Sequence, residues 1–112
     1  MDAVTFNKTY SGDRANTQDH PCVFGNMKVK PNNGVYHVGL IVTRDANRDL
    51  VPAAPDAAFV GVIDEPVDTA VATSAIVVRH GTVRRECLKT AGNVTAEAAD
   101  EDKLAAVGIY PV

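Results

Sequence analysis

Valine is the commonest residue of this chain, 17 of 112, and leucine numbers only four. Branching at Cβ stiffens a side chain against helix formation and suits it to a pleated, half-buried surface. A mainly β protein is therefore expected. The length is that of one domain and leaves no room for a second. Apolar residues make up 46%, charged ones 22%, and the formal net charge is −3, the composition of an ordinary globular protein rather than of collagen, coiled coil or long disorder. A weakly acidic balance gives no uniform field for a polyanion, so a nucleic-acid partner would need a local basic patch. Only Arg79, Arg84 and Arg85 approach one, and no nucleic-acid partner is expected.

Residues 1–10 lack the basic segment and apolar run of a secretory signal, and no apolar stretch is long enough to span a bilayer. Synthesis in a cytoplasm and no membrane partner are expected. Cys22 and Cys87 stand 65 positions apart, too few cysteines for the framework of a small secreted domain, and are expected to remain thiols. The glycosylation sequon Asn93-Val94-Thr95 matters only in a secretory pathway, which no other feature supports.

Along the chain, residues 7–21 carry one large apolar side chain, Tyr10. So little apolar area cannot offset the entropy of ordering the backbone, so residues 1–24 are expected to form a flexible, extended N-terminal arm before a β-rich body over 25–112; the alternative is a surface loop pinned by Val4, Phe6, Val23 and Phe24. Within the body, Asn26 to Lys30 alternates polar and apolar, and Pro31-Asn32-Asn33-Gly34 is a turn. Residues 35–43 read as one strand with Tyr36, Val38, Leu40 and Val42 on its apolar face. A charged reversal over 44–49, a short return at Leu50-Val51 and a rigid connector from Pro52 to Asp56 follow. The apolar run 58–63 reads as a strand covered on both faces, with Gly61 marking a close approach. Residues 75–78 and 83–88 flank Arg79-His80-Gly81-Thr82 and are expected to form a hairpin. Late in the chain Asp100 can cap a short helix with Glu101 and Asp102 in its first turn, Leu104 and Val107 against the sheet, and Gly108 as its stop. Residues 109–112 leave as an extended segment that Pro111 confines to an edge. The expected architecture is a small β-barrel-like or sandwich-like domain with one short C-terminal helix.

Chemistry-bearing residues are few. His20-Pro21-Cys22 places an imidazole near a thiol, with no third group to orient it. His37 and His80 stand alone, and no pair has the spacing of a local metal site. Asp64, Glu65 and Asp68 form a small acidic cluster, which in a turn is ordinarily solvated. Phosphate-cradle and hydrolase-elbow motifs are missing. Neither catalytic, metal nor cofactor residues are assigned, and an enzyme is not expected. Arg84 and Arg85, adjacent on an expected strand, point to opposite faces and make no single patch.

The order of features from residue 35 onward resembles the bacteriophage lambda head decoration protein D family. The residues that carry this are the strand Phe59-Val60-Gly61-Val62-Ile63, the Asp68-Thr69 loop, the hairpin Ile76 to Arg84 with Gly81, and the short helix ending in Leu104-Ala105-Ala106-Val107-Gly108-Ile109. The resemblance implies a capsid cement: a structural virion protein, made in the bacterial host cytoplasm, that trimerises and sits on the outer surface of an expanded phage head at three-fold and quasi-three-fold positions. It also implies an arm that orders on the major capsid protein by adding to its sheet. Val4, Phe6 and Tyr10 are the expected capsid-contact residues, since strand addition draws affinity from the main chain and specificity from a few side chains. The alternatives are a phage tail or connector subunit and, further off, a small thiol- or metal-dependent enzyme using Cys22, His20 or the acidic cluster.

Overall fold

Valine-rich segments pair into one main sheet in the computed structural model, which describes residues 15–16 and 22–112. The strands are β1 (Val23–Lys28), β2 (Val35–Tyr36), β3 (Ile41–Arg44), β4 (Leu50–Pro52), β5 (Gly61–Ile63), β6 (Val67–Asp68), β7 (Ser74–Val83), β8 (Lys89–Thr90), β9 (Val94–Thr95) and β10 (Ile109–Pro111), with one helix, α1 (Ala98–Ala106). The main sheet runs β1-β7-β5-β3-β4, antiparallel throughout, and β10 adds to β7 in parallel. Its two ends meet where Val29, just past β1, bridges to Leu50 of β4 and the Lys30 amide donates to the Leu50 carbonyl at 3.2 Å. The sheet thus curls on itself into a small barrel. The pairs β2–β6 and β8–β9 form two separate ribbons. The domain is mainly β with one short helix near its C-terminal end, as the valine content implies.

Period-two alternation gives the sheet two cores. Each strand of the ring sends a residue inward: Met27, Val77, Ile63, Val42 and Leu50, joined by Tyr36 and Leu40. Their neighbours Val78, Val62 and Ile41 face outward and are covered by Phe59, Leu88, Leu104 and Ile109. Val62 and Ile63 are both fully buried, which is why residues 58–63 show no polar alternation. Tyr36 is the one large polar side chain in the inner core, its hydroxyl donating to the Leu50 carbonyl and accepting from Asn33 Nδ2, both at 2.8 Å. Burial pushes its phenol above the ordinary 10.0; the Asn33 bond partly opposes this, and Asp45 and Asp49 reinforce it. On the outer side α1 is fastened by Lys103, whose ammonium donates to the Pro55 and Ala57 carbonyls at 2.6 Å and lies 4.0 Å from the centre of the Phe59 ring.

Several local expectations are corrected. Residues 75–88 form no hairpin: Ser74–Val83 is one ten-residue strand, followed by a 3-10 turn at Arg85–Cys87. Gly81 is not a turn residue. It lies within the strand at φ +128°, where an added Cβ would come 2.6 Å from Cys22 Sγ, so the glycine permits close approach of another segment. The strand expected over 35–43 is interrupted by a turn in which the Leu40 amide donates to the His37 carbonyl. Gly39 there has φ +86°, and a Cβ would fall on the Cys87 carbonyl. Only 61–63 of the run 58–63 is strand, because Phe59 departs to cover the outer core. Pro52 is not in a connector; it ends β4 opposite Val42, at the end of the strand order where a missing N–H is tolerated. The helix cap is Glu97, and Asp100 is buried at the third helical position, accepting from the Glu97 amide at 2.9 Å. Leu104 is buried as expected, but Val107 is exposed.

Gly39→Ala combines left-handed strain with a backbone clash and is expected to destabilise the fold by at least about 2 kcal/mol in urea denaturation. In a phenolate absorbance titration, Tyr36 is expected to ionise above the ordinary 10.0. Because its folded value lies above the unfolded one, the stabilisation is complete below pH 10.0 and is lost as pH rises through the raised value. Tyr36→Phe removes that late step and costs about 1 kcal/mol of hydrogen bonding.

Candidate functional site

Val4, Phe6, Tyr10 and His20 lie outside the described residues. Ala15 and Asn16, however, are built into the body. Ala15 is fully buried in the outer core. Its amide donates to the Asp64 carbonyl at 3.3 Å, and its carbonyl accepts from the Arg84 amide at 2.7 Å. Asn16 forms an antiparallel bridge with Val83, and both its backbone N and its Nδ2 donate to Asp64 Oδ1 at 3.0 Å. These two residues make a strap that pairs alongside the end of β7 and reaches back to the residue after β5. Val23 and Phe24, also placed in the arm by their sequence, belong to β1.

Asp64 is the residue that makes the strap possible. It directly follows β5, its amide donates to the Ile76 carbonyl at 3.1 Å, and its side chain is fully buried. A buried carboxylate is costly unless hydrogen bonds replace its water, and the Asn16 donors supply two. Near this end of β5, the register puts Ile76 on the same face as Val78 and opposite Asn26, while Phe24 pairs with Val78. Phe24 and Ile76 therefore share the outer face, 43% and 40% exposed. They form an apolar margin beside the strap.

The other residues singled out in the sequence do not assemble. Glu65 is exposed and Asp68 accepts from the Ala70 amide at 3.0 Å, closing its own turn, so the acidic cluster does not converge. Among the described residues no group of three or more His, Cys, Asp or Glu could hold a metal ion. Cys22 and Cys87 are both thiols; Cys22 packs on Gly81, and Cys87 Sγ lies 3.2 Å from the Arg84 carbonyl. His80 meets the Tyr110 ring edge-on at 6.3 Å, and His37 is exposed. Arg79 reaches Met27 Sδ at 3.9 Å, Arg84 pairs with Glu86 at 3.4 Å and Arg85 with Glu101 at 2.9 Å, so the three arginines serve different neighbours. A crevice of about 260 Å³ between Val35, Leu40, Pro52 and Lys89 is separate from the strap. No helix among the described residues is long and apolar enough to cross a membrane.

The Asn16–Asp64 contact joins residues 48 apart. No local pattern in the chain signals it; the one hint is an acidic residue placed directly after an uninterrupted apolar strand. No protein-family model matches the sequence, and a search of curated proteins gives no match.

Proposed function

We propose that the chain is a phage head decoration protein, a non-enzymatic cement that binds as a trimer to the outer surface of an expanded head at three-fold and quasi-three-fold positions. Its partner in this reading is the major capsid protein, contacted through Val4, Phe6 and Tyr10. The observation that carries the proposal is the strap. The body holds Ala15 in its outer core and Asn16 on the Asp64 carboxylate, so the sequence preceding them is attached at one defined place on a self-supporting barrel. A body with a tethered contact segment suits multivalent attachment: three segments on one trimer raise the effective concentration of each, and weak single contacts add to tight binding. Stabilisation of the shell follows by mass action, since a ligand that binds only the expanded form favours it.

The resemblance that suggests this function rests on the strand Phe59–Ile63, the Asp68-Thr69 loop, the hairpin Ile76–Arg84 and the helix through Leu104–Ile109; of these segments, 61–63 is β5 and the helix is α1. Where the resemblance implies a hairpin, the chain has the single strand β7. A tail or connector subunit would instead assemble by head-to-tail contacts into rings or tubes.

Sizing of the purified full chain is expected to give one species of three copies that co-sediments with expanded heads. Removal should stop at residue 14, because Ala15 and Asn16 belong to the core. The shortened chain is expected to stay trimeric and folded and to lose co-sedimentation. Rings or tubes of the pure protein, or undiminished head binding by the shortened chain, would overturn the proposal.

A further inference from the structure

We infer that Asp64 is the positioning residue of the arm: its buried carboxylate clamps Asn16 and so sets the place on the body from which the capsid-contact segment departs. The inference rests on the decoration reading for its consequence, but the clamp itself stands on geometry. One carboxylate oxygen receives the backbone and the side-chain donor of the same residue, each at 3.0 Å, a two-point grip that fixes both the position and the orientation of Asn16. The Asp64 main chain holds Ala15 through its carbonyl, and the Arg84 amide holds the other side of Ala15. Asp64 is in turn immobilised, since its amide is bonded to Ile76 of the central strand.

The chemistry at position 64 favours a role in placement over one in core stability. An apolar residue would continue the buried run Val62-Ile63 without the desolvation that a carboxylate incurs. What the carboxylate adds toward the strap is a directional, two-donor contact with Asn16. Contacts of this kind select a register more than they add net stability. Here the register chosen is that of Asn16 opposite Val83. Decoration requires the arms of a trimer to reach several capsid subunits together. A fixed departure point keeps their effective concentration high, whereas a released strap lengthens the tether and lowers it.

The test compares Asp64→Ala and the milder Asn16→Ala in the full chain with the unsubstituted protein. Amide hydrogen exchange of the free protein reads the clamp, and co-sedimentation with expanded heads reads its consequence. In both variants the Ala15 and Asn16 amides are expected to exchange roughly tenfold faster or more, as for loss of a hydrogen bond to a charged group. Val62 and Val78 should keep their protection, and head affinity should fall. Unchanged exchange at Ala15 and Asn16, or a uniform loss of protection across β5 and β7, would overturn the clamp. A loosened strap with full-strength head binding would overturn the positioning role. If the unsubstituted chain binds no heads, the decoration reading fails, and the exchange data still decide the clamp.

Discussion

β7 provides main-chain partners to four segments: β1 and β5 along its first part, β10 in parallel along its last three residues, and Asn16 at Val83. A strand with so many neighbours must be long, uninterrupted and apolar on both faces at its centre, and Val77 and Val78 meet that demand by facing opposite cores. Its register with β1 shifts at Arg79, and Gly81 marks the change from β1 to β10 as partner and admits Cys22 against the backbone. The closure of the barrel and the docking of the helix both follow from this strand's position, because the inner core is assembled on one face of it and the outer core on the other.

How much of this could be read in the sequence depends on the range of the signal. The β class, the doubly buried strand at Val62-Ile63 and the late helix carrying Leu104 follow from residue type and period, which act locally. Gly81 misleads, because the same lack of Cβ that serves a turn also serves a close approach inside a strand, and only the neighbouring Cys22 tells the two apart. Gly39 breaks an alternating run for a similar reason: the Cys87 backbone, 48 positions away, occupies the space a side chain would need. The helix begins earlier than the acidic run suggests, since Glu97 and Asp100 form the cap between them and Asp100 is a buried acceptor rather than the first residue. The strap was the least legible feature. Ala15 and Asn16 sit in a polar stretch with almost no apolar area, and their burial is dictated by Asp64 and the outer core.

That last point changes the division between arm and body. A polar segment can be held by few residues when its hydrogen bonds go to a buried acceptor and to the main chain of a long strand. The body includes Ala15 and Asn16, and the proposed contact residues Val4, Phe6 and Tyr10 precede them in sequence.

Direct imaging of expanded phage heads, with and without the protein, is the most searching measurement. Added density of three-fold symmetry on the outer surface, with each barrel's outer face turned so that Ala15 points toward the capsid subunits, is the expected result. Heads that remain bare, or density confined to a tail or portal vertex, would contradict the proposed function.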